Sequence, residues 1–566
     1  MEDGSKRMKD ILVFDLETTS LNPLEAKIIV GSYLNGTGKI EHTSNEQTLL
    51  FLVSSSALVV GHNLKYDLSI LGYPETKGVF DTMVAEWLLY PDQRKFGLKY
   101  LGRKYFEETP VEYNDIIMKY KPKNMKKSEC NLELAPLDEV TEYCNQDVDL
   151  TNRIYNILSK ELETAGLSKL FYEVEMPFLT VLMEMEAHGV KLDVDYINIL
   201  KETCEKNIKE AEAKVYELAG ERLNLNSPKQ LSLILFDKLK IPPTRRKKTG
   251  YSTDEKDLRA LADKYEIIGW LMKYREANKL YTTYLEALPA HVDKDGRIHT
   301  NYSQIGTASG RISSDHPNLQ NIPKKGDLGK LIRKAFVPAK GCKFIIADYD
   351  QAELRLLAHF SQDRGMLETF RSGKDIHLIT AQKLFNKQDI SKDERSIAKT
   401  VNFAIIYGQT APGLSKELQI EWDQARNFIY RFACTYPQAW GWKKQTESIA
   451  RSTKMTTTLL GRKRSLANAL GVLERLAVNT PIQGSCADLV KVAMIRLREV
   501  LKPYKTRMVL QIHDEVVFEV PEEEIEEVKD LITGTMESVN LVGDIALTCP
   551  MIVNIEVKDN WGESDE

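Results

Sequence analysis

The chain has 566 residues, with 77 Lys and Arg against 82 Asp and Glu, a net charge of -5, and 42% hydrophobic residues. At about 150 residues per domain this length predicts three or four domains, and that apolar content excludes a globally disordered chain. No apolar run approaches the ~18 residues a bilayer span needs, and the opening MEDGSKRMKD lacks the apolar core of a secretory signal. The seven cysteines are odd in number, scattered and never in C-x-x-C spacing, which predicts a reducing compartment and argues against a disulfide framework or a structural zinc site.

The near-neutral total hides an uneven distribution. Basic clusters stand at Arg245 to Lys248, at Lys324-Lys325 through Arg333-Lys334, and at Arg462-Lys463-Arg464, while acids crowd Glu522 to Glu527. Any one cluster reads equally well as a solvated face, but three beside glycine-containing loops lean toward a polyanionic partner.

In chain order, the first ~160 residues alternate short apolar runs with helical periodicity, the pattern of an α/β domain. Ile11–Phe14 and Ala57–Val60 read as strands, and Asp81–Tyr90 and Leu137–Leu162 as helices. Long charged amphipathic helices follow at Tyr196–Leu218 and Glu255–Leu288. Between them Ser227 is placed to cap a helix that Pro228 starts. With Arg245 to Lys248 at the turn, the pair predicts a projecting arm rather than a globule. Beyond Gly296 the expectation is a strand at Phe344–Ala347, helices from Asp363 to about Ile449, and paired strands at Met508–Ile512 and Glu515–Val520.

Two groups of acids stand out. Asp15 and Glu17 lie two apart on a strand and so share a face. Asp67 follows the second strand, and Tyr143 and Asp147 are four apart on a helix. Taken singly, each acid reads more readily as a cap or a surface salt-bridge partner. Jointly, hard oxygen ligands of this kind suit Mg²⁺ or Mn²⁺, and two such ions ~3.5–4 Å apart make a phosphoryl-transfer site. The pattern D-x-E, N-x-x-x-D and Y-x-x-x-D resembles the three motifs of the proofreading 3′–5′ exonucleases, with Tyr143 placed to orient water.

In the second group, an apolar strand delivers Asp348, and two apolar strands are joined through His513-Asp514-Glu515, which lacks the Gly or Asn of a good hairpin turn. Asp348 and Asp514 are candidate ligands of a second two-metal site, with an ordinary acidic turn as the open alternative. Between them Arg395, Lys399, Phe403 and Tyr407 recur every four residues, an oblique stripe ~18 Å long on a helix. Two cations and two aromatics fit a ligand with phosphates at one end and bases at the other. An amphipathic helix with a basic surface and core aromatics is the alternative.

Together these segments make the chain, from Asp15 to Trp561, resemble the large fragment of bacterial DNA polymerase I, the Klenow-type family A polymerases. Gly310 to Ser314 with Pro317 to Pro323, Asp348 to Arg355, Arg395 to Gly408, Asn479 to Gly484 and Gln511 to Glu515 carry the resemblance. It implies an α/β and α+β multidomain fold: a ribonuclease H-like exonuclease domain over 1–163 and a right-hand polymerase domain over 164–566. Within the latter it implies a thumb at about 191–295, fingers at about 363–455, and a palm at about 296–362 and 456–566. It further implies that Asp348 and Asp514 hold two metals with Glu515 as an accessory acid. Arg395 and Lys399 would grip a triphosphate, Phe403, Tyr407 and Gln351 would line the nucleotide, and Glu353 would exclude a ribose 2′-hydroxyl. Arg311, Asn479, Gln483 and His513 would touch primer–template DNA.

The implied reaction is template-directed addition of dNTPs to a primer 3′ end with 3′–5′ proofreading. It would run with Mg²⁺ (Mn²⁺ the alternative), two ions per centre, in a cytoplasmic monomer away from membranes; an organelle and an unidentified processivity partner stay open. The 14 residues before Asp15 leave no room for a 5′-nuclease domain in this chain. Asp350 stands where the family usually has Ser and Ala352 where it usually has Ile, which leaves the charge balance and packing there open. An exonuclease whose second half only binds nucleic acid, and a non-enzymatic DNA-binding protein, are the competing expectations.

Overall fold

The computed structural model describes residues 11–36, 38–247, 250–324 and 327–562, the backbone alone at 327 and 328. The first ten residues, Lys248 and Lys325 lie outside the described residues.

The first unit is built on a mixed sheet of β1 (Ile11–Thr18), β2 (Ile28–Leu34), β3 (Ile40–Thr43), β4 (Leu58–Gly61) and β5 (Val79–Asp81), in the order β3-β2-β1-β4-β5. β2 pairs antiparallel with β1 and β3, while β4 lies parallel to β1 and β5. Parallel neighbours need crossovers, and helix Leu64–Ile70 lies within the one between β4 and β5. α1 (Leu98–Phe106) and α2 (Leu137–Thr164) complete the unit, α2 packing on β1 and β2. β1 runs past the expected Phe14 because Asp15 and Glu17 keep their pairing, opposite Ser32 and Val30. The acids therefore lie within the strand, alternating with buried Phe14 and Leu16. Asp67 sits in helix Leu64–Ile70, past β4.

α3 (Val194–Ala219) and α4 (Glu266–Leu280) pack along one another as the arm. Ser227 caps the helix begun by Pro228, its Oγ accepting from Gln230 N at 3.4 Å. The helix expected over Glu255–Leu288 is broken, because Lys264 N and Tyr265 N both donate to Leu261 O, closing a turn before α4. The arm's outer end has a core of its own, including Val215, Leu235, Phe236, Leu258 and Leu271. The basic tip is not a bare cationic surface: Lys247 lies 2.7 Å from Asp254, and Arg245 3.6 Å from Asp254 and Asp257.

The third element is an antiparallel sheet of β6 (Cys342–Tyr349), β7 (Arg507–Ile512), β8 (Glu515–Pro521) and β9 (Val553–Lys558), in the order β7-β8-β6-β9. Three helices carry candidate residues around it: α5 (Ala352–Ser361), α6 (Lys392–Ile406) and α7 (Leu473–Leu501). The seven cysteines are all free, and among the described residues no helix is long and apolar enough to cross a membrane.

A buried knot of four charges ties these parts together. Arg462 is 1% exposed, and its guanidinium donates to Glu175 and, at 2.6 Å, to Asp488 Oδ1. Lys491 Nζ donates to both Glu175 oxygens at 2.8 and 3.0 Å, and Trp87 of the first unit lies beneath Arg462 and Lys491. Burial alone would raise Glu175, but Lys491 and Arg462 outweigh it and hold the carboxyl down at about 2. This corrects the reading of Arg462-Lys463-Arg464 as a polyanion patch: Lys463 donates to Ala165 O and Arg464 pairs with Asp92 at 2.7 Å. Arg333 is likewise buried, donating to Ile322 O and Pro323 O.

Removing one partner of a buried ion pair typically costs about 3–5 kcal/mol. Arg462→Met should therefore lower the urea midpoint steeply, and adding Glu175→Gln should recover part of the loss. An unchanged midpoint in the single variant would show that the knot contributes nothing net.

Candidate active sites

The first centre forms where β1 meets α2 and helix Leu64–Ile70. β1 offers Asp15 and Glu17 from one face, α2 offers Tyr143 and Asp147, and Leu16 N donates to Asp67 Oδ1 at 3.2 Å. All five expected residues converge. Burial pushes Asp15, Glu17 and Asp67 well above the usual carboxylate range, and their neighbours' charges add to it. Asp147 is pushed up to about 6 by burial, with Lys99 opposing. The Tyr143 hydroxyl is driven upward by burial and by Asp147.

Two members were not foreseen. Lys99 on α1 pairs with Asp147, and its ammonium stands 4.1 Å from the Tyr143 ring centroid. Cys144 Sγ donates to Asp15 O at 3.4 Å, and together with Asp15 and Glu17 it forms a group whose ligand atoms lie within 4.8 Å of one another. At 100° per residue, Lys99 falls beside Phe106 and Gly102 on the edge of the apolar stripe of α1, a weak signal in a sequence rich in surface lysines. Cys144 gave no signal because an isolated cysteine reads as a small buried hydrophobe.

The second centre lies where β6 and the β7–β8 hairpin run side by side. Asp348 pairs with Glu515 across the sheet, and Ile512 pairs with Glu515, leaving His513-Asp514 as a two-residue turn. His513 takes φ 60° without being Gly or Asn, so the turn is strained as its composition implied. Asp348 Oδ1 is buried and has no hydrogen-bond partner among the described residues. Burial and then Asp514 push Asp348 up to about 7, and burial raises Asp514 too. A half-buried acid pair with one buried, orphaned oxygen fits a divalent cation better than any neutral partner. Glu515 is engaged by other groups: Lys324 Nζ donates to it at 3.1 Å, Trp561 Nε1 at 3.0 Å, and Arg333 lies 3.8 Å off.

The remaining candidates ring this pair. Arg311 Nη2 donates to Glu353 Oε1 at 2.7 Å, and burial and Glu353 push the Tyr407 hydroxyl up to about 12. On α6, Ser391 and Glu394 form a capping box, and the helix ends with Tyr407 at the cap. Phe403 and Tyr407 stack at 6.1 Å and 20°, and both are partly buried against the core. Lys399 is exposed, while Arg395 is drawn 2.6 Å from Asp375, a partner not foreseen. Gln351 takes the left-handed conformation at φ 53° with its buried Oε1 unpartnered. Asn479 and Gln483 stand four apart and half-buried on α7. The extra acid Asp350 is matched by Arg355, whose Nη2 donates to it at 2.8 Å, and Ala352 is fully buried.

With this geometry in hand, comparison with known proteins places the chain. The model of DNA polymerase family A matches residues 194–563, and that of a 3′–5′ exonuclease matches residues 4–163. The chain belongs to DNA polymerase family A, with an exonuclease domain ahead of the polymerase domain. It is 39% identical to DNA polymerase I of Treponema pallidum (strain Nichols) over 521 residues, 89% of this chain and 51% of that protein. It is 38% identical to DNA polymerase I of Borreliella burgdorferi over 99% of this chain and 63% of that protein. It is 41% identical to the thermostable DNA polymerase I of Thermus filiformis over 76% of this chain and 52% of that protein. The chain thus spans about half to two thirds of these curated relatives. Among solved structures, the POL domain of Pol1 from M. smegmatis, in complex with DNA primer-template and dNTP, matches 99% of this chain and 97% of its own, with TM-score 0.87 and 28% identity.

The second centre predicts a pH dependence in metal-free protein. With a folded value of about 7 against ~3.9 unfolded, folding takes up a proton at Asp348, so stability falls as pH rises from about 4 to 7. Asp348→Asn removes that penalty and should stabilise the chain in EDTA at pH 8, on the order of 2–4 kcal/mol by denaturant melts. The gain should shrink by more than half at pH 5; an equal gain at both values would contradict the raised value.

Proposed function

We propose that the chain is a template-directed DNA polymerase that adds dNTPs to a primer 3′ end and removes misincorporated nucleotides with its 3′–5′ exonuclease. The observation that carries this reading is the presence of two separate, partly buried acid centres in one chain, Asp15/Glu17/Asp67/Asp147 and Asp348/Asp514. It is supported by family membership and by a structural relative described with primer-template and dNTP.

In this reading the domains are an exonuclease over 1–163 and a polymerase over 164–566. The polymerase divides into a thumb at about 191–295, a palm at about 296–362 and 456–566, and fingers at about 363–455. The arm of α3 and α4, the four-stranded sheet and the helices between Arg364 and Thr453 support that division. Asp348 and Asp514 would hold two Mg²⁺ ions, and Asp15, Glu17, Asp67 and Asp147 two more, with Mn²⁺ as an alternative. Such ions lower the pKa of an attacking hydroxyl or water and neutralise charge at the leaving oxygen.

The side chains supply the rest. Lys399 and Arg395 bind phosphates as point charge and fork without reading sequence. Phe403, Tyr407 and Gln351 line the nucleotide. Glu353, buried and fixed by Arg311, closes the space a ribose 2′-hydroxyl would need. Asn479, Gln483, Arg311 and His513 meet the primer–template near the terminus, and Glu515 holds Lys324 and Arg333 beside the metal-binding pair. Tyr143 orients the water in the exonuclease centre. A monomer is part of this reading.

The test is separability, read by primer extension and 3′-end degradation in Mg²⁺. Asp15→Ala with Glu17→Ala should cut degradation by at least about 10³-fold and leave extension within about twofold, and Asp348→Ala should do the reverse. Loss of both activities in either folded variant would refute the two-centre reading.

A further inference from the structure

Lys99 is the feature of the exonuclease centre that neither its acids nor its tyrosine explain. It is a lysine 9% exposed, on the second residue of α1, and it leaves its own helix to pair with Asp147 on α2. Its ammonium also lies 4.1 Å from the centroid of the Tyr143 ring. One cation therefore touches both α2 residues assigned to the chemistry. Its field reaches further, opposing the upward push on Asp15 and Glu17 from β1. The other basic group near it carries no charge: burial and then Lys99 push His62 down to about 3, while His62 Nδ1 is bonded to Thr82 Oγ1 at 2.9 Å. The neighbouring Cys144 Sγ is engaged with Asp15, and Glu112 adds a further negative charge toward Asp147 and Tyr143.

Four carboxylates in one buried site repel one another, and removing an ion's hydration is costly unless an opposite charge is close. A resident ammonium lowers the cluster's negative charge permanently and fixes the geometry of whatever it touches. It also competes with metal ions for Asp147. A purely structural lysine would do only the second of these.

On the reading of this centre as a 3′–5′ exonuclease, we propose that Lys99 is a positioning residue that holds Asp147 and Tyr143 in their working geometry while weakening divalent-cation binding to the acid cluster. It supplies charge that the centre would otherwise draw wholly from metal ions. The two roles have opposite consequences when the ammonium is removed: metal should bind more tightly, yet turn over less.

The experiment measures both. Mn²⁺ binding is followed by titration calorimetry on the full chain in an Asp348→Asn, Asp514→Asn background, so that heat reports the exonuclease cluster, and 3′-end degradation is measured at saturating Mn²⁺. Lys99→Met is expected to bind Mn²⁺ about three- to tenfold more tightly, since a unit positive charge at short range has been removed. It should nonetheless degrade 3′ ends about 10–100-fold more slowly, the range typical when a residue orienting a metal ligand is lost. Lys99→Arg should return the affinity to within about twofold of the parent and recover part of the rate.

Equal or weaker Mn²⁺ binding by Lys99→Met would overturn the proposal, whatever the rate, because it would reduce Lys99 to a structural support. A faster rate at saturating Mn²⁺ would overturn it as well. Should Lys99→Met fail to fold by circular dichroism, Lys99→Gln is read by the same two measurements. If the parent chain itself degraded no 3′ ends, the exonuclease reading would fall, while the calorimetry would still decide whether Lys99 weakens cation binding.

Discussion

The knot of Glu175, Arg462, Asp488 and Lys491 is the constraint from which the relation of the two centres follows. Its two acids and two bases sum to zero, which makes deep burial tolerable where an unpaired charge would face a low dielectric. Its members come from the segment just past α2, from the hairpin holding Arg462, and from α7. Gly310 lies against it at φ +89°, so close that a Cβ would come 2.6 Å from Arg462 Nε. The next residue is Arg311, which reaches Glu353. Gly484 on α7 similarly admits Ser309 O, where a Cβ would stand 3.1 Å away. Residues that ring the polymerase centre are thus held by packing against a charge cluster that also grips Trp87 of the exonuclease unit.

The two acid centres solve the same electrostatic problem differently. In the first centre the compensating cation is an enclosed lysine paired with Asp147. In the polymerase centre, Lys324 and Arg333 attach to Glu515 and not to Asp348 or Asp514, so their field reaches the ligand pair without occupying it. Asp348 Oδ1 has no hydrogen-bond partner among the described residues.

Much of this was legible in the sequence because it depends on period and adjacency. Period 2 put Asp15 and Glu17 on one face, period 3.6 put Tyr143 above Asp147, and apolar strands framed Asp348 and Asp514. The strained His513 turn was visible as missing turn chemistry. What stayed hidden depends on tertiary contact. The sequence pattern of Arg462-Lys463-Arg464 is that of a solvated basic face, and only the fold brings Glu175 and Asp488 to it from sequence separations of 287 and 26. The break before α4 was hidden for a similar reason: no Pro or Gly marks residues 260–265, and the turn forms because Leu258 and Leu261 insert into the arm's own core. Lys99 and Asp375 were missed because a charged residue's partner is set by which helices meet.

Asp350 shows how a local departure from a family pattern is absorbed. A fifth carboxylate near Asp348 and Asp514 would deepen their mutual repulsion if it were free, and its charge does contribute to raising Asp348. Arg355, five residues on, is 4% exposed at its side chain and donates from Nε to the backbone oxygen of Asp350 at 2.7 Å and from Nη2 to its carboxylate at 2.8 Å. Its guanidinium also reaches Pro550 O at 2.8 Å and lies 4.7 Å from the Phe370 ring. A buried guanidinium held on three sides cannot swing away, so the added acid has a fixed counter-charge. The first turn of α5, which carries Glu353, is thereby anchored to the strand end that carries Asp348. Asp350 thus adds a charge and a tether at once, and the tether holds the turn that carries Glu353 against the strand end that carries Asp348.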